Sequence, residues 1–192
     1  MKNRFFTGIF LVFLICFKGY SQQPTGGLKA DSLLLAASVH GNVQEIKAAI
    51  RAGANVNAIN ESGESPLNMV SKLSYEFLVK YFISLGANVN TANANKITPL
   101  HWGVEYNNIE MVKLLLQKDA DLNARDGIYE TPLHWAAWTG NYQSAKWLLK
   151  YGANPYASNN TGVTPVDLAK RQEHFKLYRL LKKKRFSKNR VN

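Results

Sequence analysis

The stretch TPLHWAAWTGNYQSAKWLLKYGANPYA, residues 131–157, reads as one complete supersecondary unit. Thr131 can cap a helix whose first residue is Pro132, where a missing N–H costs nothing. The spacing predicts a short helix over Pro132–Thr139. Gly140-Asn141 then turns the chain, and a second helix follows over Asn141–Tyr151, with apolar residues at i, i+3 and i+4. Gly152 ends it, because a left-handed C-terminal residue is cheapest as glycine.

The same unit recurs along the chain. Ser65-Pro66-Leu67-Asn68, Thr98-Pro99-Leu100-His101, Thr131-Pro132-Leu133-His134 and Thr164-Pro165-Val166-Asp167 begin 33 residues apart. Gly53-Ala54-Asn55, Gly86-Ala87-Asn88, Asp119-Ala120-Asp121 and Gly152-Ala153-Asn154 keep the same period of 33. Two different motifs in phase over four copies define a repeat array. Gly53, Gly86 and Gly152 close second helices, and Asp119 takes that place in one unit, where mild strain is expected. Stretches such as Asn57–Gly63 read as extended turns projecting from the stack.

These motifs resemble the ankyrin repeat family. The likeness is strongest in TPLHWGVEYNNIEMVKLLLQKDADLNA, residues 98–124, and in the unit quoted first, and it covers roughly residues 30–185. It implies an all-α solenoid of about five helix-turn-helix units with short hairpin-like turns, over 30–59, 60–92, 93–125, 126–158 and 159–185. The first unit, with Ser32-Leu33-Leu34-Leu35 in place of TPLH, looks like an N-terminal cap. The fifth looks like a C-terminal cap with a basic second helix. Lys96 and Tyr129 stand where the family prefers glycine, and Asn68 and Asp167 replace the motif histidine.

Composition agrees with a folded array. Hydrophobic residues make up 46% and charged residues 19% of the 192, which excludes wholesale disorder. The net charge is +11, but it is uneven. Residues 176–192 hold Lys176, Arg179, Lys182, Lys183, Lys184, Arg185, Lys188 and Arg190 and no acid. Lys2, Arg4 and Lys18 stand without an acid in residues 1–21, and the body between is neutral. The basic balance therefore marks a tail, not a nucleic-acid-binding fold, and no nucleic acid is expected as partner.

Residues 1–21 have the order of a secretory signal peptide: Lys2 and Arg4, the apolar run Phe5–Phe17, then Gly19 and Ser21 before a cleavage point. The run is short for a membrane span, which takes about 20 residues. An uncleaved anchor is one alternative. A lipoprotein acylated at Cys16 is another, although the preceding Ile15 is bulky where that signal takes a small residue. Export to the periplasm or beyond the cell is the expectation, with 22–29 a linker and 186–192 a basic tail. Cys16 is the only cysteine, so an intrachain disulfide and a Cys-based zinc site are excluded.

Little else suggests chemistry. In the family the histidine of TPLH hydrogen-bonds within and between repeats, so the resemblance makes His101 and His134 structural. One repeat apart, at about 10 Å, they cannot share a metal. Asp119 and Asp121 lack a twelve-residue ligand loop and read as solvated. His-Glu-x-x-His, Gly-x-Ser-x-Gly and glycine-rich phosphate loops do not occur. No catalytic residue, metal or cofactor is implied. Trp102, Trp135 and Trp147 read as core, whereas Trp138 falls where the first helix faces the groove, with Tyr106 at the matching groove edge one repeat earlier.

The resemblance implies a non-enzymatic module that binds a protein partner through its concave groove and turn tips. Carried over residue by residue, the groove positions are Lys72, Leu73, Glu105, Tyr106, Trp138, Thr139, Arg171 and Gln172. The tips are Glu61, Ser62, Glu64, Asn95, Ile97, Ile128, Tyr129, Glu130, Thr161 and Val163. Thr98, Pro99, Leu100, His101, Thr131, Pro132, Leu133, His134, Gly53, Gly86 and Gly152 are implied to be structural. A monomer is expected. The alternative is adhesion to an anionic surface through the tail, with Lys182, Lys183, Lys184 and Arg185 in contact.

Overall fold

The computed structural model describes residues 26–183. Residues 1–21, expected to be a signal segment, lie outside the described residues, as do Lys184, Arg185 and the tail 186–192. Ten helices follow one another among the described residues: α1 (Gly26–His40), α2 (Val43–Arg51), α3 (Pro66–Lys72), α4 (Glu76–Ser84), α5 (Pro99–Glu105), α6 (Ile109–Gln117), α7 (Pro132–Thr139), α8 (Tyr142–Lys150), α9 (Pro165–Arg171) and α10 (Phe175–Lys183). The structure is all-α, a helical solenoid, as the repeat pattern requires. One difference lies at its start: α1 begins at Gly26, inside the stretch read as a linker.

Each unit pairs a short first helix with a nine-residue second helix, except that α1 runs for 15 residues. First helices stack in one row, α1 on α3 on α5 on α7 on α9. Second helices α4, α6, α8 and α10 stack in another. The sequence period becomes a side-chain ladder. Leu67, Leu100 and Leu133 are fully buried one above another in the first row, and Phe82, Leu115, Leu148 and Leu181 in the second. Burying such a side chain gains about 1.5–3 kcal/mol, and no unit could bury its own without a neighbour.

The proline signal holds at every copy. Pro66, Pro99, Pro132 and Pro165 are the first residues of their helices, each preceded by a Ser or Thr cap. Backbone handedness is equally periodic. Every residue with positive φ among the described ones falls at one of three phases of the repeat. The turns between paired helices use Gly41, Ser74, Asn107, Gly140 and Glu173; the ends of second helices use Gly53, Gly86, Asp119 and Gly152; the tips use Gly63, Lys96, Tyr129 and Gly162. Asp119 at φ 59° is held in the left-handed region that the glycines occupy in the other units.

The tips are tied to one another. The N–H of Ala94 donates to the carbonyl of Ser62 at 2.8 Å, that of Gly127 to Asn95 at 2.9 Å, and that of Asn160 to Ile128 at 3.2 Å. Below them, Asn57 Oδ1 accepts the N–H of Asn88 and Asn90 Oδ1 that of Asp121, each at 2.8 Å. The hairpins and the helices thus share one registry, which fixes the groove between them.

Candidate partner-binding groove

The groove wall is set by the histidines beneath it. Thr98 N–H donates to His101 Nδ1 at 3.2 Å, and Thr131 N–H to His134 Nδ1 at 3.1 Å. A backbone N–H can only donate, so Nδ1 is the acceptor and the ring proton sits on Nε2. Nε2–H then donates across the repeat boundary, from His101 to the Glu130 carbonyl at 3.3 Å and from His134 to that of Val163 at 3.2 Å. Burial pushes the His101 imidazole down to about 4 and lowers His134 as well. Both histidines are structural ties between a first helix and the next hairpin.

Asn68 does the same work in the unit before. Its Nδ2 donates to the carbonyls of Thr91 at 3.2 Å and Ile97 at 2.8 Å. Its Oδ1 accepts the indole N–H of Trp102 at 2.8 Å. The indole N–H of Trp135 is held by Asp126 Oδ2 at 2.9 Å, while Asp126 Oδ1 takes the N–H groups of Ile128 and Glu130. Two tryptophans are therefore locked by hydrogen bonds at their bases. Their rings meet edge to face, 5.8 Å between centroids and 82° between planes.

Trp102 and Trp135 are half-buried, and Trp135 packs against the buried core. Together with Trp138, Glu105, Asp126, Ile128 and Glu130 they line a cavity of about 410 Å³ that opens on the groove. Trp138 stands one turn beyond Trp135 and is 58% exposed. Tyr106 is 49% exposed and stacks on Trp102, 6.3 Å between centroids. Lys72 reaches over Trp102 from the preceding unit, 5.6 Å from the ring centroid. Trp147 packs against the core, as expected, with one part of its ring left at the surface. It is half-buried on the second-helix row, covered by Lys150 at 4.5 Å and Lys113 at 5.2 Å.

Of the positions expected to bind, the structure brings Glu105, Ile128, Glu130 and Trp138 together in the cavity. Lys72 and Tyr106 flank it through Trp102. Tyr129 is an exposed tip, with Lys96 and Arg125 over its ring at 5.7 and 5.8 Å. Thr139 turns back on its own helix, its hydroxyl donating to the Trp135 carbonyl at 2.8 Å. Ile97 is half-buried, and its N–H is held by Asn93 Oδ1. Leu73 and Gln172 cap α3 and α9, and Arg171 is exposed at the end of α9; none of these three lines the cavity.

The sequence reading missed Trp102, Trp135 and Asp126 as groove residues. The signal for the tryptophans was their size, because an indole longer than the usual aliphatic side chain reaches past the buried layer. Glu130 is half-buried, which raises its carboxyl above the ordinary value, while the amide of Asn159, at 3.0 Å from Oε1, opposes that shift. No group of His, Cys, Asp and Glu able to hold a metal occurs among the described residues.

Comparison with known families places these observations. A family model described as ankyrin repeats in three copies matches residues 33–126, and the single ankyrin repeat model matches residues 129–160. No curated protein matches the chain.

Proposed function

The chain belongs to the ankyrin repeat family, and on that premise we propose that it is an exported, non-enzymatic module gripping a protein partner in the aromatic groove between its third and fourth repeats. Repeats of this family are generally protein–protein interaction modules. The observation that carries the reading is Trp138, a large rigid side chain left 58% exposed beside two indoles already fixed by hydrogen bonds. Aromatic anchors at the centre of a preorganised surface lose little entropy on binding and carry much of its energy.

Affinity capture from the source cells tests it. The parent protein should retain a specific partner that the variant Trp138→Ala fails to hold. A partner held equally by both would remove the groove from the account. Export rests on residues 1–21, and the intact mass of the recovered protein should lack them. A full-length mass in the membrane fraction would favour an anchor.

A second reading has one observation in its favour. Lys176, Arg179 and Lys183 on α10 line a cleft of about 310 Å³ with Tyr142 and Phe175, and Phe175 is exposed. This basic, partly aromatic face would suit an anionic surface, and binding through it would fall steeply as salt rises.

A further inference from the structure

We propose that the partner enters this groove with an arginine or lysine side chain, received as a cation by the indoles of Trp135 and Trp138 and the carboxylates of Glu105 and Glu130, with Trp102 forming the neighbouring wall. The inference rests on the groove reading and names the chemistry of what fills it.

Charge complementarity carries it. Every ionisable side chain lining the cavity is an acid: Glu105, Asp126 and Glu130. The body of the chain is neutral, so this excess is local. Asp126 is buried, and its oxygens already accept three N–H groups, which commits its lone pairs. Glu130 gives Oε1 to Asn159, and its other oxygen has no partner among the described residues. The Glu105 carboxylate likewise has none. The ion pairs among the described residues, Lys80 with Glu76 and Lys113 with Glu110, lie on second helices away from the groove.

The ring faces point the same way. The chain covers its other indoles with its own cations: Lys113 and Lys150 cover Trp147, and Lys72 covers Trp102 at the rim of this cavity. Among the described residues no basic side chain stands over Trp135 or Trp138. An indole face attracts an ammonium or guanidinium within about 6 Å, and more strongly where water is partly excluded. A guanidinium can also meet a carboxylate with paired N–H groups. Lys72 at the rim leaves the site net negative against three carboxylates. A hydrophobic anchor would suit the indoles alone, but it would leave two carboxylates desolvated without a partner, which is unfavourable.

The test uses the full chain and a short Gly-Ser peptide carrying one central arginine. The control peptide carries citrulline, which has nearly the same shape and no charge. The readout is the indole N–H resonances of the four tryptophans, with Trp147 as the internal reference. The arginine peptide should move the signals of Trp102, Trp135 and Trp138 and leave Trp147 in place. Citrulline should bind at least about tenfold more weakly. The double variant Glu105→Gln with Glu130→Gln keeps an acceptor for Asn159. It should remove most of the difference between the two peptides, with circular dichroism unchanged.

Equal binding of the two peptides, no shift of the groove indoles, or an undiminished preference in the double variant would overturn the inference. The captured partner separates the two levels. If Trp138→Ala releases it while the double Gln variant holds it as tightly as the parent, the groove stands and the cation is wrong. If both variants hold it, the groove reading itself fails.

Discussion

His101 and His134 accept at Nδ1 and donate at Nε2, and only the neutral ring can do both. Protonation would aim a second donor at the Thr N–H. Burial accordingly holds His101 at about 4, below the ordinary value of about 6.5. Between those values the unfolded chain binds more protons than the folded one. Stability contributed by His101 is therefore full above about pH 6.5 and is lost as pH falls towards about 4. His134 acts in the same direction. Thermal unfolding across this window should show a falling midpoint. The double variant His101→Asn with His134→Asn should flatten the slope, because Asn68 bridges the same gap with a group that does not titrate there. His134→Ala should lower stability by about 1–3 kcal/mol, the cost of a lost buried hydrogen bond, and leave partner binding intact. An unchanged midpoint with binding abolished would contradict the structural role.

At the scale of the element, the left-handed residue after each second helix is the sharpest test. Gly53, Gly86 and Gly152 have open space where a side chain would begin, so nothing but backbone conformation selects glycine there. Asp119 carries the same conformation with a side chain, and its carboxylate stands at the negative end of α6. Its carbonyl still accepts from Asn90 Nδ2 at 3.3 Å, a bond that a glycine would keep. Asp119→Gly should therefore raise stability by about 1 kcal/mol in chemical denaturation, and an unchanged or lower value would mean the strain is relieved elsewhere. The same positions explain what was legible beforehand. Proline at a helix start and glycine at its end are conditions on the local backbone, so a single sequence reveals them, and the helix over Pro132–Thr139 needed no adjustment. The start of α1 was not legible, because the first unit lacks the Thr-Pro signal. The cavity was legible only in part. Trp138 lies on the face that spacing aims at the groove, and Trp102 and Trp135 lie where the repeat buries an aliphatic side chain. That their far edges emerge depends on Asn68 and Asp126 gripping the indole N–H groups, the first from a neighbouring repeat and the second from a folded-back hairpin. Periodicity carries no information about either contact.

The molecule as a whole is a stack in which neighbouring units bury each other and the hairpins bond tip to tip. It carries two candidate surfaces: the aromatic cavity at its centre and, at its C-terminal end, the basic face of α10, whose run of positive charge the sequence continues through Lys188 and Arg190. Their physics differs in salt. Contact with a half-buried aromatic centre persists when charges are screened, and clustered surface lysines lose their attraction beyond a Debye length of about 10 Å at 0.1 M salt. The measurement that decides is a titration of the captured partner, at low and high ionic strength, against Trp138→Ala and against the chain lacking residues 186–192, with circular dichroism to confirm folding. Trp138→Ala should weaken binding about thirtyfold or more at both salt concentrations, and the truncation should matter mainly at low salt. Parent-like binding by Trp138→Ala together with loss of binding on truncation would contradict the account and place function in the basic terminus.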